Sequence, residues 1–448
     1  MSVMSLESSQ PSIRPDTMPR VRAAPVASSA LRLLPFRFGF CYWVLFCIPA
    51  LGIPIPGVDT PPQIVAAWGV VTTWVGHNVL GITREIPIQV TGSGDTTSDW
   101  VSLFCYAVLA LVASLAWSLA GRARTDHPRH REALRVLLRY ALGLTMFSYG
   151  IIKVFRGQFP APHDARLMQP YGDSSPMGLL WTFMGYSGPY VVFSGLAETA
   201  GSLLLFFRRT TTLGALVLAA VLTNVVMLNF CYDVPVKINS AHYLAMAFVL
   251  LLPDLRRLAD LLVWNRPTAP ARYALELPRR WMRIARPLCK YALVGSTVAL
   301  GAHEAHKATA MPDAVSAWYA GYWDVKTMTR NAVDVPALTT DATRWKRLKL
   351  EAWPGKSYLR WHNMDGTYGP LYAVTVDDGK STLTLSPEEP NAPAASPIAV
   401  VRKDATHLHL SGTIGKDAIA VDVERMDPRQ KLLMSRGFHW VNEVPFNR

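Results

Sequence analysis

Charged residues are scarce in this sequence: only 17% of its 448 residues are Asp, Glu, Lys or Arg. Hydrophobic residues make up 50% of the chain, and its mean hydropathy is +0.17. This composition argues against a large soluble core and favours a protein that lies mainly in a lipid bilayer. The length leaves room for a helical bundle and one further domain.

Cysteine is also rare, and its spacing carries no metal or disulfide signal. The five cysteines stand singly, at Cys41, Cys47, Cys105, Cys231 and Cys289. Because the sequence has no CxxC pair and no zinc-type spacing, the pattern argues against a disulfide framework and a zinc site. We therefore predict no bound metal.

The basic excess does not point to nucleic acid, although the formal net charge is +13. The arginines lie in short segments between apolar runs, a distribution that reports membrane topology rather than a phosphate-binding face. We therefore predict a lipid bilayer as the first partner and no nucleic-acid partner.

Apolar runs predict a bundle of about seven transmembrane helices within residues 36–305. The expected helices lie at about 36–53, 100–120, 134–153, 188–207, 211–230, 240–253 and 287–303. Most of these runs are close to the roughly 20 residues that cross a hydrocarbon core. The run 62–82 is broken by glycine, histidine and asparagine, and we interpret it as an interfacial or re-entrant helix. Residues 1–35, rich in Ser, Pro and Arg, are predicted to form a disordered cytoplasmic tail.

The arginine-rich segments predict the orientation of the bundle. They precede the first helix and lie between helices two and three, four and five, and six and seven. Because basic loops tend to stay in the cytoplasm, the amino terminus should lie inside and the carboxy-terminal domain outside. We predict a bacterial inner membrane, with that domain in the periplasm if the cell is a diderm bacterium.

The final part of the chain, residues 312–448, has a different pattern. Eight short runs alternate apolar with polar residues and are separated by turn signals such as MDGTYG and DDGK. This alternation predicts antiparallel strands with one buried face. Eight strands are about enough to close a small barrel of the lipocalin kind. The predicted fold class is thus an all-α membrane bundle with a carboxy-terminal antiparallel β domain.

Polar residues interrupt the apolar runs between Tyr149 and His242. The candidate residues for an outward-facing polar pocket are Lys153, Glu198, Asp233, Lys237 and His242. Charge is costly in lipid, so such residues need a partner or a function. Glu198 lies mid-helix, and three readings stay open for it: a structural ion pair, a proton-handling acid, or a side chain that faces a watery cleft.

Aromatic and small residues near this region add weaker signals. Trp181, Tyr186 and Tyr190 are candidates to stack on a quinone ring or a lipid tail, although aromatic side chains are common at any membrane interface. The GSGDTT turn lacks the Lys-Ser or Lys-Thr of a nucleotide loop, so we interpret it as a helix cap. Close helix packing is predicted at Gly143, Gly150, Gly195, Gly201 and Gly214.

Longer motifs add a resemblance to a known family. Between about residues 92 and 262 the chain reads GSGDTTSDW, YGIIKVFRGQFPAP, SPMGLLWTFMGYS, GLAETAGSLLLFFRRT and NFCYDVPVKINSAHYL. These motifs resemble the larger DoxX-like membrane proteins, and the terminal RGFHWVNEVPFNR resembles the tail that the long members carry after a β-rich extension. The resemblance implies a core of four helices and, in the namesake branch, association with thiosulfate or quinone oxidoreductases. Most relatives of this kind have no demonstrated activity, and fold analogy does not define a site.

Three functions stay open at this point. The first is a redox-associated membrane subunit, with quinone as its candidate cofactor and a membrane or periplasmic protein as its partner. The second is a non-catalytic scaffold whose β domain binds a lipophilic ligand or a partner protein. The third is a membrane-embedded enzyme, loosely similar to the helical half of vitamin-K-dependent carboxylases, in which a lysine acts as base.

Overall fold

The chain forms two compact units. A computed structural model describes residues 26–48, 61–87, 92–120, 127–268, 280–309, 317–353, 355–377, 379–440 and 442. The helical unit comprises residues 1–148 and 197–297, and the barrel unit comprises residues 149–196 and 298–448. Helices α4, α7 and α11, whose bounds follow, contribute residues to both units.

Twelve α-helices lie in the described residues. They are α1 (Val26–Phe46), α2 (Pro62–Asn78), α3 (Thr97–Ala120), α4 (Pro128–Val154), α5 (Asp164–Met168), α6 (Pro176–Tyr186), α7 (Gly188–Leu205), α8 (Thr211–Cys231), α9 (Lys237–Leu251), α10 (Leu255–Leu262), α11 (Arg280–Thr309) and α12 (Leu432–Ser435). Proline occupies the first position of α2, α4 and α6, where its fixed φ suits a helix start and its missing N–H costs no hydrogen bond.

Four segments of the described chain are long and apolar enough to cross a membrane. They are Thr97–Ala120, Pro128–Val154, Thr211–Cys231 and Lys237–Leu262. The helical membrane part is therefore present. The finer count of seven spans, and the orientation derived from it, stay predictions.

The first helix begins earlier than the sequence pattern predicts. The apolar run predicts a helix at about 36–53, whereas α1 starts at Val26. Residues 26–35 therefore belong to a helix rather than to a disordered tail. Pro35 lies inside this helix and does not end it. The rest of that predicted tail, 1–25, and the predicted helix end at 49–53 lie outside the described residues. The ambiguous run 62–82 contains α2, a helix that packs on α3.

Glycines allow close contacts between helices, as predicted. In the barrel unit, a Cβ at Gly195 would lie 2.7 Å from the carbonyl oxygen of Gly150. In the helical unit, a Cβ at Gly214 would lie 2.8 Å from the carbonyl oxygen of Gly201. Gly143 faces the Phe206 ring instead. Only hydrogen fits beside backbone at the first two contacts, so these glycines bring α4, α7 and α8 together.

The described part of the barrel unit contains nine strands: β1 (Gly321–Arg330), β2 (Val333–Asp334), β3 (Trp345–Trp353), β4 (Lys356–Asn363), β5 (Tyr372–Asp377), β6 (Thr382–Pro387), β7 (Ile398–Arg402), β8 (His407–Ile414) and β9 (Asp417–Met426). From β3 onward each strand pairs antiparallel with its successor, β1 pairs with both β3 and β9, and the short β2 extends β1. Eight strands therefore close a barrel. All eight strands expected from the alternation are present, so the prediction of a small antiparallel barrel is confirmed.

Large apolar side chains fill the barrel. Trp345 stacks on Trp361 with 4.5 Å between ring centroids, and Trp361 stacks on Tyr372 at 5.7 Å. Leu348 and Leu383 are also buried in this cluster. The strands β8 and β9 alternate buried with more exposed residues, which is why each presents one face to this core.

Candidate functional site

The amino-terminal end of α9 is held by a carboxylate from a distant turn. The two carboxylate oxygens of Asp95 accept hydrogen bonds from the backbone N–H groups of Lys237 at 2.8 Å and Ile238 at 2.9 Å. The backbone N–H of Gly94 also donates to the carbonyl oxygen of Pro235 at 2.7 Å. Asp95 thus satisfies orphan donors of the first turn of α9 and places a negative charge at the positive end of the helix.

Asp233 and Lys237 lie together beside this cap. The Lys237 ammonium lies 2.9 Å from a carboxylate oxygen of Asp233 and 3.8 Å from one of Asp95. Asp233 has a left-handed backbone, with φ at 51°, and its side chain is 83% exposed. Because an exposed ion pair contributes at most about 1 kcal/mol, the buried Asp95 cap should matter more than the Asp233 pair.

Asp95→Asn is expected to destabilise the helical unit, whereas the matched Asp233→Asn is expected to be nearly neutral. Asparagine has one acceptor oxygen, so one N–H of α9 would face an amide donor, at a cost of about 1–3 kcal/mol. Asn keeps the left-handed preference at position 233, so that change should stay within about 0.5 kcal/mol. The midpoint of unfolding in an SDS titration measures both. Equal midpoints would show that Asp95 is not the cap of α9.

His242, in the second turn of α9, forms hydrogen bonds through both ring nitrogens. Its Nδ1 lies 2.7 Å from the carbonyl oxygen of Ile238, and its Nε2 lies 2.6 Å from the hydroxyl of Tyr42. A carbonyl can only accept, so Nδ1 carries the hydrogen. In the neutral ring Nε2 is then the acceptor, and the phenol donates to it. This bond joins α1 to α9.

Aromatic rings enclose the Tyr42–His242 pair. Phe46 stacks on the imidazole with 4.3 Å between centroids, and Trp43 meets it edge-on at 6.0 Å. Tyr42 and His242 are half-buried, so the pair is not sealed inside the unit. A proton acceptor between flat aromatic faces suits a planar ligand that has a hydroxyl or carbonyl group at its edge.

The predicted five-residue pocket divides between the two units. Lys153, 7% exposed, lies in the last turn of α4 and belongs to the barrel unit. Glu198, 1% exposed, lies in α7 and belongs to the helical unit with Asp233, Lys237 and His242. The structure brings Asp233 and Lys237 into contact and gives His242 a separate partner. One pocket shared by all five residues stays a prediction.

The predicted aromatic residues contact different neighbouring rings. Trp181 is half-buried and packs on Phe159, with 5.1 Å between centroids. Tyr190 is exposed and packs on Phe183 at 5.7 Å, and Tyr186 is exposed as well. Such exposed rings fit a membrane interface, while the edge-on packing of Trp181 on Phe159 helps to hold the connection between α4 and α6.

The interior of the barrel is too full for a lipophilic ligand. Its cavity among Trp345, Leu359 and Leu410 measures about 20 Å³. A volume of about 10–15 Å³ on this kind of measure holds a single water. This cavity therefore has no room for a lipophilic ligand.

A polar cleft opens in the barrel unit where α5 meets the barrel. It measures about 580 Å³ and is lined by Asp164 of α5, by Asp324 and Glu424 of β1 and β9, and by the turn residues Asp427 and Gln430. The acids of the barrel wall are already paired. The Arg347 guanidinium lies 2.8 Å from Asp324, and the Lys326 ammonium lies 2.6 Å from Glu424.

Electrostatic shifts at the cleft follow from these pairs and from burial. The hydrogen bond from Lys326 lowers the pKa of Glu424. Burial, with help from the carboxylates of Glu351 and Asp164, raises the pKa of Tyr322. Both groups therefore keep their ordinary charge at neutral pH.

Local sequence patterns do not predict the roles of two residues, Asp95 and Tyr42. The GSGDTT turn does cap α3, as predicted, because Thr96 and Asp99 exchange side-chain hydrogen bonds with each other's backbone N–H. Asp95 of the same turn instead caps α9, a long-range contact that no local pattern contains. Tyr42 was also missed. Its only signal was a phenol inside the apolar run of α1, which needs a polar partner when it is removed from water.

Comparisons with known proteins give a relative but no described activity. No family model and no solved structure matches this chain. The uncharacterized protein YwoB of Bacillus subtilis (strain 168) is 32% identical to it over 129 residues, which are 28% of this chain and 80% of YwoB. The similarity thus spans most of that relative, and the chain belongs to the same family as YwoB.

Proposed function

We propose that this protein is a DoxX-like, redox-associated subunit of a bacterial inner membrane, and that it binds a quinone at the Tyr42–His242 pair. The observation that carries the proposal is the 2.6 Å hydrogen bond between the Tyr42 hydroxyl and Nε2 of His242, beside the stacked Phe46 ring. The resemblance to DoxX-like proteins supports it, because the namesake branch associates with quinone oxidoreductases.

The chemistry of the pair suits a quinol. With Nδ1 bonded to the Ile238 carbonyl, neutral Nε2 is a proton acceptor. A quinol hydroxyl that displaces the Tyr42 hydroxyl would donate to the same nitrogen. Nε2 of His242 would accept one of the two protons that a quinol releases when a partner redox protein takes its two electrons, and the second proton would go to water.

The apolar part of such a ligand also has a place to bind. Phe46 and Trp43 flank the imidazole, and aromatic rings pair well in stacked or edge-on geometry. Exposed apolar side chains on α3, including Phe104 and Val108, form an apolar surface on the helical unit, and an isoprenoid tail can lie along it. In this proposal the arginine pattern of the loops places the outer ends of the helices in the periplasm.

His242→Gln is expected to weaken quinone binding about tenfold, because loss of one well-placed hydrogen bond and of a stacked ring is worth on the order of 1–1.5 kcal/mol. The protein would be reconstituted in lipid nanodiscs, and short-chain benzoquinol and naphthoquinol would be titrated by isothermal calorimetry. Both are needed because the geometry does not select a ring size.

Two matched variants separate this binding from a structural effect. Tyr42→Phe keeps the ring but removes the hydroxyl that competes for Nε2, so it should bind quinol at least as tightly as the wild type. Asp233→Asn, in the turn just before α9, should leave binding unchanged. If the His242→Gln variant binds both quinols as the wild type does, the assignment is wrong.

A second candidate function is supported by the barrel. Its core is filled and its polar cleft is about 580 Å³. Of the two scaffold alternatives, these volumes favour a barrel that contacts a partner protein over one that encloses a lipophilic ligand. Pull-down of a defined periplasmic redox partner by the wild type, but not by an Asp164→Arg, Asp427→Arg variant with charge-reversed cleft walls, would support this second function.

A further inference from the structure

The barrel is followed by a short segment that combines exposed aromatic and basic residues. This segment, residues 429–440, reads RQKLLMSRGFHW and is called the basic-aromatic segment below. Its Phe438 and Trp440 side chains are 77% and 90% exposed, although their rings lie only 5.0 Å apart. Leu432 and Leu433 of α12 are exposed as well. So much apolar surface in one short segment indicates a binding surface.

The charges of this segment have one sign. Arg429, Lys431 and Arg436 are interleaved with the apolar residues, and the segment contains no Asp or Glu. Arg436 also donates a hydrogen bond to the side-chain oxygen of Asn442 at 2.6 Å. Apolar side chains between basic ones are typical of peptides that lie at a membrane surface.

The segment leaves the barrel at the end where β1 begins and β9 finishes. At this end Tyr322 of β1 pairs with Met426 of β9. The chain reaches β1 from α11, which ends at Thr309. The short 3-10 helix Pro428–Gln430, at the start of the segment, also packs against α5. Two chain connections therefore enter at the end from which the segment emerges.

The distance to the bilayer is limited by the α4–α5 connection. Helix α4 is a candidate membrane span that ends at Val154, and α5 begins ten residues later at Asp164. Ten extended residues reach at most about 35 Å, and folded ones less. Since α5 contacts the start of the segment, residues 429–440 lie within reach of the surface from which α4 emerges.

We propose that the basic-aromatic segment is an interfacial anchor that inserts Phe438 and Trp440 among the headgroups of anionic lipids. Tryptophan prefers the membrane interface because its ring is apolar and its N–H is polar. Arg429, Lys431 and Arg436 then face lipid phosphates, where basic residues are attracted by the negative surface potential. The anchor fixes one end of the barrel on the bilayer, and it does not depend on the proposed quinone site.

The anchor can be tested by measuring the depth of residue 440. In a chain whose five native cysteines are replaced, Trp440→Cys would carry a nitroxide spin label, and the full protein would be placed in nanodiscs of phosphatidylcholine with phosphatidylglycerol. The matched control is Lys416→Cys, an exposed site in the β8–β9 turn at the opposite end of the barrel. We expect the ratio of collisions with oxygen to collisions with a water-soluble nickel chelate to be at least about fivefold higher at 440 than at 416, because oxygen concentrates in lipid.

Equal ratios at the two positions would overturn the proposal, and so would a label at 440 that is shielded from both reagents, since that result means packing on protein. A wild-type measurement keeps the test independent of the cysteine replacements. Trypsin cleavage after Lys431 and Arg436 should be at least about tenfold slower in phosphatidylglycerol nanodiscs than in nanodiscs of phosphatidylcholine alone. Equal cleavage rates in the two lipids would contradict the anionic-lipid anchor.

Discussion

Asp254→Asn is expected to destabilise the helical unit by about 1–3 kcal/mol, because an amide with one acceptor oxygen would replace a buried carboxylate that pairs with two partly exposed arginines. Asp254 is 3% exposed and lies where α9 passes into α10. Its carboxylate lies 3.1 Å from Arg135 of α4 and 2.5 Å from Arg257 of α10, and it accepts a hydrogen bond from the Thr212 hydroxyl at 2.6 Å. One carboxylate thus ties together the ends of α4, α8 and α9.

The midpoint of unfolding in an SDS titration of the purified protein measures this effect. Asp260→Asn is a suitable control, because Asp260 is a half-buried acid on the adjacent α10. A double variant adds a stricter test. If Arg135 is the main group left uncompensated, Arg135→Gln combined with Asp254→Asn should recover part of the lost stability. A single Asp254→Asn variant as stable as Asp260→Asn would show that the carboxylate is not needed there.

The architecture could be predicted because it depends on local periodicity. Runs of apolar residues marked α3, α4, α7, α8, α9 and α11, and alternation marked all eight strands of the barrel. The start of α1 was placed ten residues late, since Pro35 and Arg37 weaken the apolar signal there. Arg37 is fully buried and hydrogen-bonds His127, a long-range partner that makes a charge tolerable in that helix.

The site was harder to predict, because its contacts join distant parts of the chain. The sequence singled out His242, but its partner Tyr42 lies 200 positions away, in α1. The same holds for Asp95, which lies 142 positions from the Lys237 backbone that it caps. Polar residues in apolar runs reveal that a partner exists, yet only the packing of α1 and α9 identifies it.

The contacts of the glycines are predicted only in part by the sequence. The sequence indicated that small residues permit close packing, but not which pairs meet. In the structure Gly214 of α8 faces the backbone of Gly201 in α7, whereas Gly201 faces Leu218 and Gly143 faces the side chain of Phe206. The consequence is that substitution should have unequal effects at glycines that look alike in the sequence.

Gly214→Ala is expected to separate α7 from α8 and to cost about 1–3 kcal/mol, the usual penalty for overpacking. A Cβ at this position would lie 2.8 Å from the Gly201 carbonyl oxygen and 3.0 Å from the Leu205 backbone nitrogen, and neither can move without moving α7. Gly295→Ala is the matched control, because nothing lies within 4 Å of a Cβ there. That change should be neutral, or stabilising by up to about 1 kcal/mol through higher helix propensity.

The Gly214→Ala and Gly295→Ala variants also test whether helix packing keeps water away from Glu198. Glu198 lies three residues before Gly201, on the same side of α7, and is 1% exposed. A shift of α7 away from α8 should therefore admit water to Glu198, which hydrogen–deuterium exchange of the α7 peptide would detect as faster exchange in Gly214→Ala than in Gly295→Ala. If both variants exchange at the wild-type rate and unfold at the same midpoint, the Gly201–Gly214 contact does not hold this helix in place. Faster exchange confined to Gly214→Ala would show that two glycines keep the carboxylate of α7 away from water.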